Sequence, residues 1–325
     1  MNRIVLTGAN GFVGSALAKK LHDSGNDVIC LIRKNSDTNL IEHKSTIRQI
    51  DYNDINALES VIRNADIFIH IAALTRARKW DTFKKNNIDL TNKLLQICNK
   101  HSIKQFILLS SQAVAGPAMN EDHAKKEDDL PNPVTMYGKS KLVAEELVQK
   151  NSKNPWTIIR PVSVYGAGDK DFLKLFKMVK NHIVFINSFR TKSYNLIYID
   201  ELTEIIEQII LNKNAFNEIL FAAHPKVLKN IELHKLIGKA INSKTITVRI
   251  PEFMLSPIAS FMEFLSFIFR RNFPILNRDK VKEFKEDHWI VDTSKTSKKL
   301  EIEFEDEYIN NFNKTYEWYK NKGWL

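Results

Sequence analysis

The 325-residue sequence holds only two cysteines. Cys30 lies in the apolar run Val28-Ile29-Cys30-Leu31-Ile32, and Cys98 in the helical pattern Leu94-Leu95-Gln96-Ile97-Cys98. Two thiols inside apolar patterns make no disulfide framework, so a reducing, cytoplasmic home is expected. An apolar leader is also lacking: Met1–Leu6 gives way to Thr7-Gly8 before a signal-peptide core can form. There is no internal repeat and no low-complexity linker. The net charge is +10, yet no basic stripe interleaved with aromatics occurs. Lysines alternate with acids instead, as in Lys282-Glu283-Phe284-Lys285-Glu286-Asp287. A nucleic-acid partner is therefore not expected. The charge reads as a solvated basic surface, which would also favour an anionic ligand. No set of metal ligands is read from the sequence.

What is present is an alternation of short apolar runs and amphipathic stretches. Strand-like runs cover 3–7, 27–32, 46–50, 67–71, 105–110 and 156–160; helical patterns between them include 13–24, 55–63, 89–100 and 139–150. Strands separated by helices of this length predict βαβ units, hence an α/β, doubly wound parallel sheet. Val28–Ile32 and Phe106–Leu109 are apolar on both faces, as buried parallel strands require. The expected division is a dinucleotide-binding domain over 1–165, with 196–223 partly returning to it. A smaller, mainly helical substrate lobe is expected from 166–195 and 224–325.

Thr7-Gly8-Ala9-Asn10-Gly11-Phe12-Val13-Gly14 follows the first strand and opens a helix. Gly8 permits the tight turn, Gly11 lets the backbone approach a pyrophosphate, and Gly14 allows close helix–strand contact. The helix N-terminus presents free N–H groups to the phosphates. Strand-then-helix context makes this a dinucleotide (Rossmann-type) fingerprint with Gly8, Asn10, Gly11, Phe12, Val13 and Gly14 at the cofactor. The second strand ends in Arg33-Lys34-Asn35-Ser36 without a carboxylate. An acid there would bond a ribose 2′-hydroxyl, whereas cations accommodate a 2′-phosphate. Either cation can also be plain surface; the expectation is NADP(H) over NAD(H).

Tyr137-Gly138-Lys139-Ser140-Lys141 begins another helical pattern. A spacing of four sets Tyr137 and Lys141 one turn apart on one face. A phenol with a pKa near ~10 is a poor acid–base catalyst at neutral pH. A neighbouring ammonium and a positively charged nicotinamide lower it. Ser111, closing the preceding strand, is placed to bond the same substrate oxygen. Ser111, Tyr137 and Lys141 are thus the candidate catalytic set.

With these motifs in this order the chain resembles an extended short-chain dehydrogenase/reductase, of the epimerase/dehydratase and 3β-hydroxysteroid dehydrogenase-like group. The resemblance runs nearly end to end, to a dihydroflavonol-reductase-like tail, Trp318–Leu325. It implies that Asp51 and Tyr52 lie at the adenine, and that Ala72 and Ala73 after His70-Ile71 line the cofactor. Asn87 and Thr91 would be structural, as would the Tyr198–Leu202 junction. Pro161, Val162 and Ser163, within Arg160–Gly166, would meet the nicotinamide carboxamide. It also implies hydride transfer at nicotinamide C4, with Tyr137 exchanging the substrate proton and Ser111 polarising the substrate oxygen. Lys141 would lower the Tyr137 pKa and bond the nicotinamide ribose. A homodimer is common in the family.

Departures from the family pattern narrow the branch. Gln112 and Ala113 stand where sugar-nucleotide 4,6-dehydratases carry an Asp-Glu pair, which disfavours water elimination. Ala115 replaces a common tyrosine and leaves apolar room beside the substrate. Ser163 and Tyr194 stand where nucleotide-sugar epimerases often carry diphosphate-holding Asn and Arg, although Lys192 or Arg190 can substitute. The expectation is a reductase or dehydrogenase of a secondary alcohol or ketone. A nucleotide-sugar epimerase retaining NAD is the alternative, and a non-catalytic NADP(H)-binding regulator is another. Phe253–Phe269 carries Pro257 and Glu263 and is at the short limit of a membrane span. It reads either as a helix roofing the substrate pocket or as an interfacial helix, within 253–271, receiving a sterol-like or other lipid-like substrate. In the second case Arg270 and Arg271 would sit at the headgroups.

Overall fold

The computed structural model describes residues 1–41, 45–186, 190–269, 274 and 276–325. Seven strands build its main sheet: β1 (Arg3–Thr7), β2 (Asp27–Arg33), β3 (Thr46–Ile50), β4 (Ile67–His70), β5 (Gln105–Leu109), β6 (Trp156–Pro161) and β7 (Glu218–Ala222). Their order is β7-β6-β5-β4-β1-β2-β3, with every neighbouring pair parallel. The doubly wound sheet anticipated from the alternation is thus present. Strand order reverses between β1 and β4, so the connections leaving their C-terminal ends diverge and open a crevice there.

Successive side chains of a strand point to opposite faces, and β1 shows the consequence. Ile4 and Leu6 enter one core, packed with Leu17, Leu21, Leu202 and Ile206. Val5 enters the other, with Leu58, Leu94, Ala144 and Val148. The helices Phe12–Asp23 and Ile199–Ile209 cover the first face; Ile55–Ile62, Leu90–Cys98 and Met136–Asn151 cover the second. A third core, rich in aromatic rings, joins the carboxy-terminal half. Tyr165 lies 4.6 Å from Phe312, centroid to centroid, and the Tyr319 hydroxyl donates to the Asp169 carbonyl at 2.7 Å.

One stretch differs from the sequence expectation. Residues 80–83 are helical and continue through a π-helical stretch, Lys84–Asp89, into the helix expected from 89. Apolar periodicity starts only at Leu90, because the preceding turn buries a polar side chain, Asn87, whose partners lie outside the helix. Leu196–Tyr198 pairs with Ser163–Tyr165 in a separate small sheet, so of 196–223 only β7 joins the main one. The 253–269 segment forms a helix over Leu255–Ile268, followed by another over Arg278–Lys285. Arg270 and Arg271 lie outside the described residues. No helix among the described residues is long and apolar enough to cross a membrane.

The glycine turn after β1 is where the packing leaves no slack. A Cβ on Gly14 would lie 2.1 Å from the Gly8 carbonyl oxygen, a backbone atom unable to move aside. Gly14→Ala is expected to cost about 2–3 kcal/mol in urea unfolding and to weaken dinucleotide binding by more than tenfold.

Candidate active site

The crevice above β1 and β4 is a cleft of about 580 Å³. Gly8, Asn10, Gly11, Phe12, Val13 and Gly14 form one wall, and Ile71, Ala72 and Ala73 another. Gly8 has φ +78°, and a Cβ there would stand 2.7 Å from the Ala72 amide nitrogen. The turn and the β4 loop therefore approach at a distance only glycine permits. At the far end the lining is Ser111, Tyr137, Pro161, Val162 and Val164. Ser163 is exposed on the short Ser163–Tyr165 strand and alternates away from its neighbours.

Arg33 and Tyr52 line this cleft and also a neighbouring hollow of about 710 Å³, which adds Lys34 and Asp51. One Arg33 nitrogen donates to Asn86 Oδ1 at 2.8 Å, and its guanidinium lies 5.6 Å from the Tyr52 ring centre. The Tyr52 hydroxyl donates to the Leu31 carbonyl at 2.8 Å. Asp51 Oδ1 accepts from its own loop, at the Asn53 amide (2.9 Å). Lys34 and Asp51 thus sit beyond Arg33, one step outside the main cleft.

Ser111 and Tyr137 come from different elements and line the same end of the cleft, with the Ser111 hydroxyl near enough to act on the phenol. The Ser111 oxygen also accepts the Ala113 amide at 3.2 Å, which starts the turn Gln112–Val114. Thr135 caps the Tyr137 helix by accepting the Gly138 amide at 3.1 Å. Burial pushes the Tyr137 hydroxyl up to about 12; the Ser111 hydroxyl pulls the other way, and the Glu283 carboxylate adds to the rise. Lys141 is fully buried and donates from Nζ to the Leu109 carbonyl at 2.8 Å. Burial lowers it to about 8, against the opposing pull of Glu145 one turn on. Its ammonium is thus held at the end of β5, and Ser111 is the group whose hydroxyl lowers the phenol's pKa.

Glu145 is itself buried and bound by Arg160, at 2.7 Å to Nη2 and 3.1 Å to Nε, and by the Ser110 hydroxyl. This pair ties the Tyr137 helix to β6 just ahead of Pro161.

A second set of partners positions the site, and sequence reasoning named its members only by resemblance. The Thr7 hydroxyl bonds His70 Nδ1 at 2.7 Å and accepts the Ile71 and Ala72 amides at 3.2 and 3.3 Å. His70 Nε2 meets Thr91 Oγ1 at 3.0 Å, and that hydroxyl gives its only proton to the Asn87 carbonyl at 2.6 Å. His70 is therefore neutral and carries its proton on Nε2, in keeping with burial, which lowers it to about 3 with the Lys141 charge assisting. The Asn87 side chain accepts the Leu74 amide at 2.7 Å and donates to the Leu74 carbonyl and to Ser140 Oγ, both at 2.9 Å. Ser140 then donates to the Tyr137 carbonyl at 2.7 Å.

Residues 4–220 match the model of the NAD dependent epimerase/dehydratase family. Among curated proteins the chain is 22% identical to the ceramide reductase of Caulobacter vibrioides over 329 residues, covering 99% of this chain and 96% of that one. It is 27% identical to the UDP-glucose 4-epimerase of Vibrio cholerae (76% and 78% covered) and 28% identical to the dTDP-D-glucose 4,6-dehydratase of Dictyostelium discoideum (73% and 62%). The alignment thus spans less than two thirds of that dehydratase. Among solved structures, the UDP-glucuronic acid 4-epimerase of Bacillus cereus, in complex with NAD, superposes with a TM-score of 0.78 at 21% identity. That superposition covers 98% of this chain and 99% of the other, and it shows a common fold. Its sheet, its glycine cradle and the family match over two thirds of its length place the chain in the NAD dependent epimerase/dehydratase family.

Proposed function

We propose that the protein is an NADP(H)-dependent oxidoreductase that interconverts a ketone and a secondary alcohol on a lipid-like substrate. The observation that carries the reading is that Ser111 and Tyr137 meet at the end of the glycine-walled cleft. The cradle suits a dinucleotide, because Gly8 and Gly14 leave no room for a Cβ against Ala72 and the Gly8 carbonyl, which keeps the turn tight and its backbone at the cleft wall. Gly8–Gly14, Ala72, Ala73, Pro161 and Val162 would hold it, with Arg33 and Lys34 at a 2′-phosphate. When bound, the nicotinamide supplies the hydride donor or acceptor at its C4.

The protein side chains then handle the oxygen and its proton. Ser111 polarises the substrate carbonyl, and Tyr137 gives the proton as negative charge develops there. A phenol pushed up to about 12 is neutral at physiological pH, the form that donates a proton. The Lys141 ammonium adds a fixed positive charge beside the proton's path. The lipid-like character draws on the full-length relative that is a ceramide reductase and on the apolar helix at 255–268. Two buried free thiols agree with a cytoplasmic home, with possible delivery of substrate from a membrane, and by family resemblance the working unit is a homodimer.

The epimerase relatives support a second reading, a nucleotide-sugar epimerase with retained NAD. One feature weighs against it. Lys192, a candidate to hold a diphosphate, is buried and spends its ammonium on the Phe284 carbonyl (2.8 Å), the Glu286 carbonyl (2.9 Å) and Asp287 (3.1 Å). Its three donors close off the end of the Arg278–Lys285 helix instead.

Protein denatured as purified should release little nicotinamide nucleotide, and the empty protein should bind NADPH at least tenfold more tightly than NADH. Arg33→Ala should bring the two affinities within about threefold; stoichiometric NAD released from the wild type would overturn the reductase reading. Tyr137→Phe should lower kcat for ketone reduction by at least 100-fold with NADPH binding unchanged. For Lys141 the sign is set by a folded pKa of about 8, below the ordinary 10.5. The ammonium is present below pH 8, so reduction should hold there and decline above it. The cost of burying that charge is full below pH 8 and gone above about 10.5. Lys141→Met should therefore stabilise the fold by about 2 kcal/mol at pH 7, after loss of the Leu109 bond, with the gain vanishing above that range.

A further inference from the structure

The helix Leu255–Ile268 is built inside out. Its protein-facing side carries Leu255, Ala259 and Ser266, which meet only a small core of Val281, Leu276 and Phe284. Its largest apolar side chains face away: Phe261, Phe264 and Phe267 are 60%, 57% and 68% exposed, and Phe253 in the turn before it is 79% exposed. Met254, Ile268 and Phe269 extend the same surface. Positions 253, 257, 261, 264 and 268 recur every three or four residues, so the exposed side chains form one stripe. A contiguous exposed apolar stripe of this kind marks an interaction surface.

Charge and shape point to the same partner. The apolar run 253–269 contains one charge, Glu263, and is bracketed in sequence by Arg249 on one side and Arg270, Arg271 and Arg278 on the other. Glu263 is drawn to the inner side, where Arg278 Nε reaches it at 3.1 Å. In sequence, an apolar run flanked by basic residues matches an acyl layer bordered by anionic headgroups. Phe264 and Phe267 also line a cavity of about 650 Å³ with Ala77, Arg78 and Met136. Met136 adjoins Tyr137, and Ala77 follows by two residues Thr75, which lines the cofactor cleft. Arg78 fastens this loop to the helix, donating to Ser266 Oγ at 2.8 Å with its guanidinium 5.2 Å from the Phe267 ring centre. The Met136 amide donates to Asp279 at 2.9 Å, which seats the following helix on the start of the Tyr137 helix.

We propose that this stripe docks on an anionic phospholipid bilayer, with Phe253, Phe261 and Ile268 dipping into the acyl boundary. The Phe264–Phe267 cavity then opens toward the bilayer and admits an amphiphile sideways to Tyr137. The proposal rests on the lipid-like substrate reading for its purpose, but its docking step stands or falls separately.

The test is co-sedimentation of the full chain with vesicles of phosphatidylcholine and phosphatidylglycerol (3:1) and of phosphatidylcholine alone. Wild type should pellet with the mixed vesicles, at least tenfold more weakly with the neutral ones. The variant Phe253→Ser/Phe261→Ser/Ile268→Ser, none of whose sites lines either cavity, should lose at least tenfold in partition while keeping the wild-type unfolding midpoint. Wild type left in the supernatant, or a folded variant that pellets equally, overturns the proposal. So does a dimer that the variant splits in size-exclusion chromatography without any vesicle binding, since a second copy would then cover the stripe. Vesicle binding together with no turnover of lipid-like ketones would overturn the substrate reading and leave the docking intact.

Discussion

The arrangement of the site depends on a single chain of hydrogen bonds threaded through a buried, neutral histidine. Thr7 at the end of β1, His70 at the end of β4, Thr91 and Asn87 on the next helix, and Ser140 on the Tyr137 helix are joined in one run. Each hydroxyl in it has one proton and gives it in one direction, so the donors and acceptors are used without remainder. Buried polar groups are costly when unpaired, and the chain therefore locks four elements at the distances its bonds require. The cofactor cleft is the space between those elements.

Charge burial is the second organising constraint. Lys141 and the Glu145–Arg160 pair are all but removed from solvent within a few residues of Tyr137. An ion pair so placed adds little net stability, because desolvation offsets most of the attraction. Its geometric consequence is larger: it fixes the Tyr137 helix against β6, whose end contributes Pro161 and Val162 to the cleft. The buried ammonium weakens its own proton affinity and lies close enough to His70 to help keep that ring neutral.

The helices of 255–285 are joined to this centre by specific polar contacts. Arg78, Asp279 and Lys192 each tie the helices of 255–285 to elements of the dinucleotide-binding half or to the strand beside it. The apolar helix meets only a small core of its own. Its Phe264 and Phe267 line a cavity together with Met136, the residue next to Tyr137.

Alternation of apolar runs and helices determined the doubly wound sheet from sequence alone, because parallel strands buried on both faces and amphipathic helices have distinct periods. The glycine turn was equally legible: Gly8, Gly11 and Gly14 answer steric demands written into the local chain. The spacing of Tyr137 and Lys141 put them on one helical face, yet spacing could not say where their polar atoms end. Only the tertiary structure decided that Lys141 reaches the Leu109 carbonyl while Ser111 meets Tyr137 at the cleft, and that Ser163 turns away as Val162 and Val164 line it. The same holds for Asn87 in its π-helical turn, and for Lys192, whose ammonium closes a helix end ninety residues on. These outcomes depend on partners distant in the chain, and no local period encodes which buried acceptor a long side chain will find. For the phenylalanine stripe, the sequence determined its apolar character, while the fold decided that it faces outward.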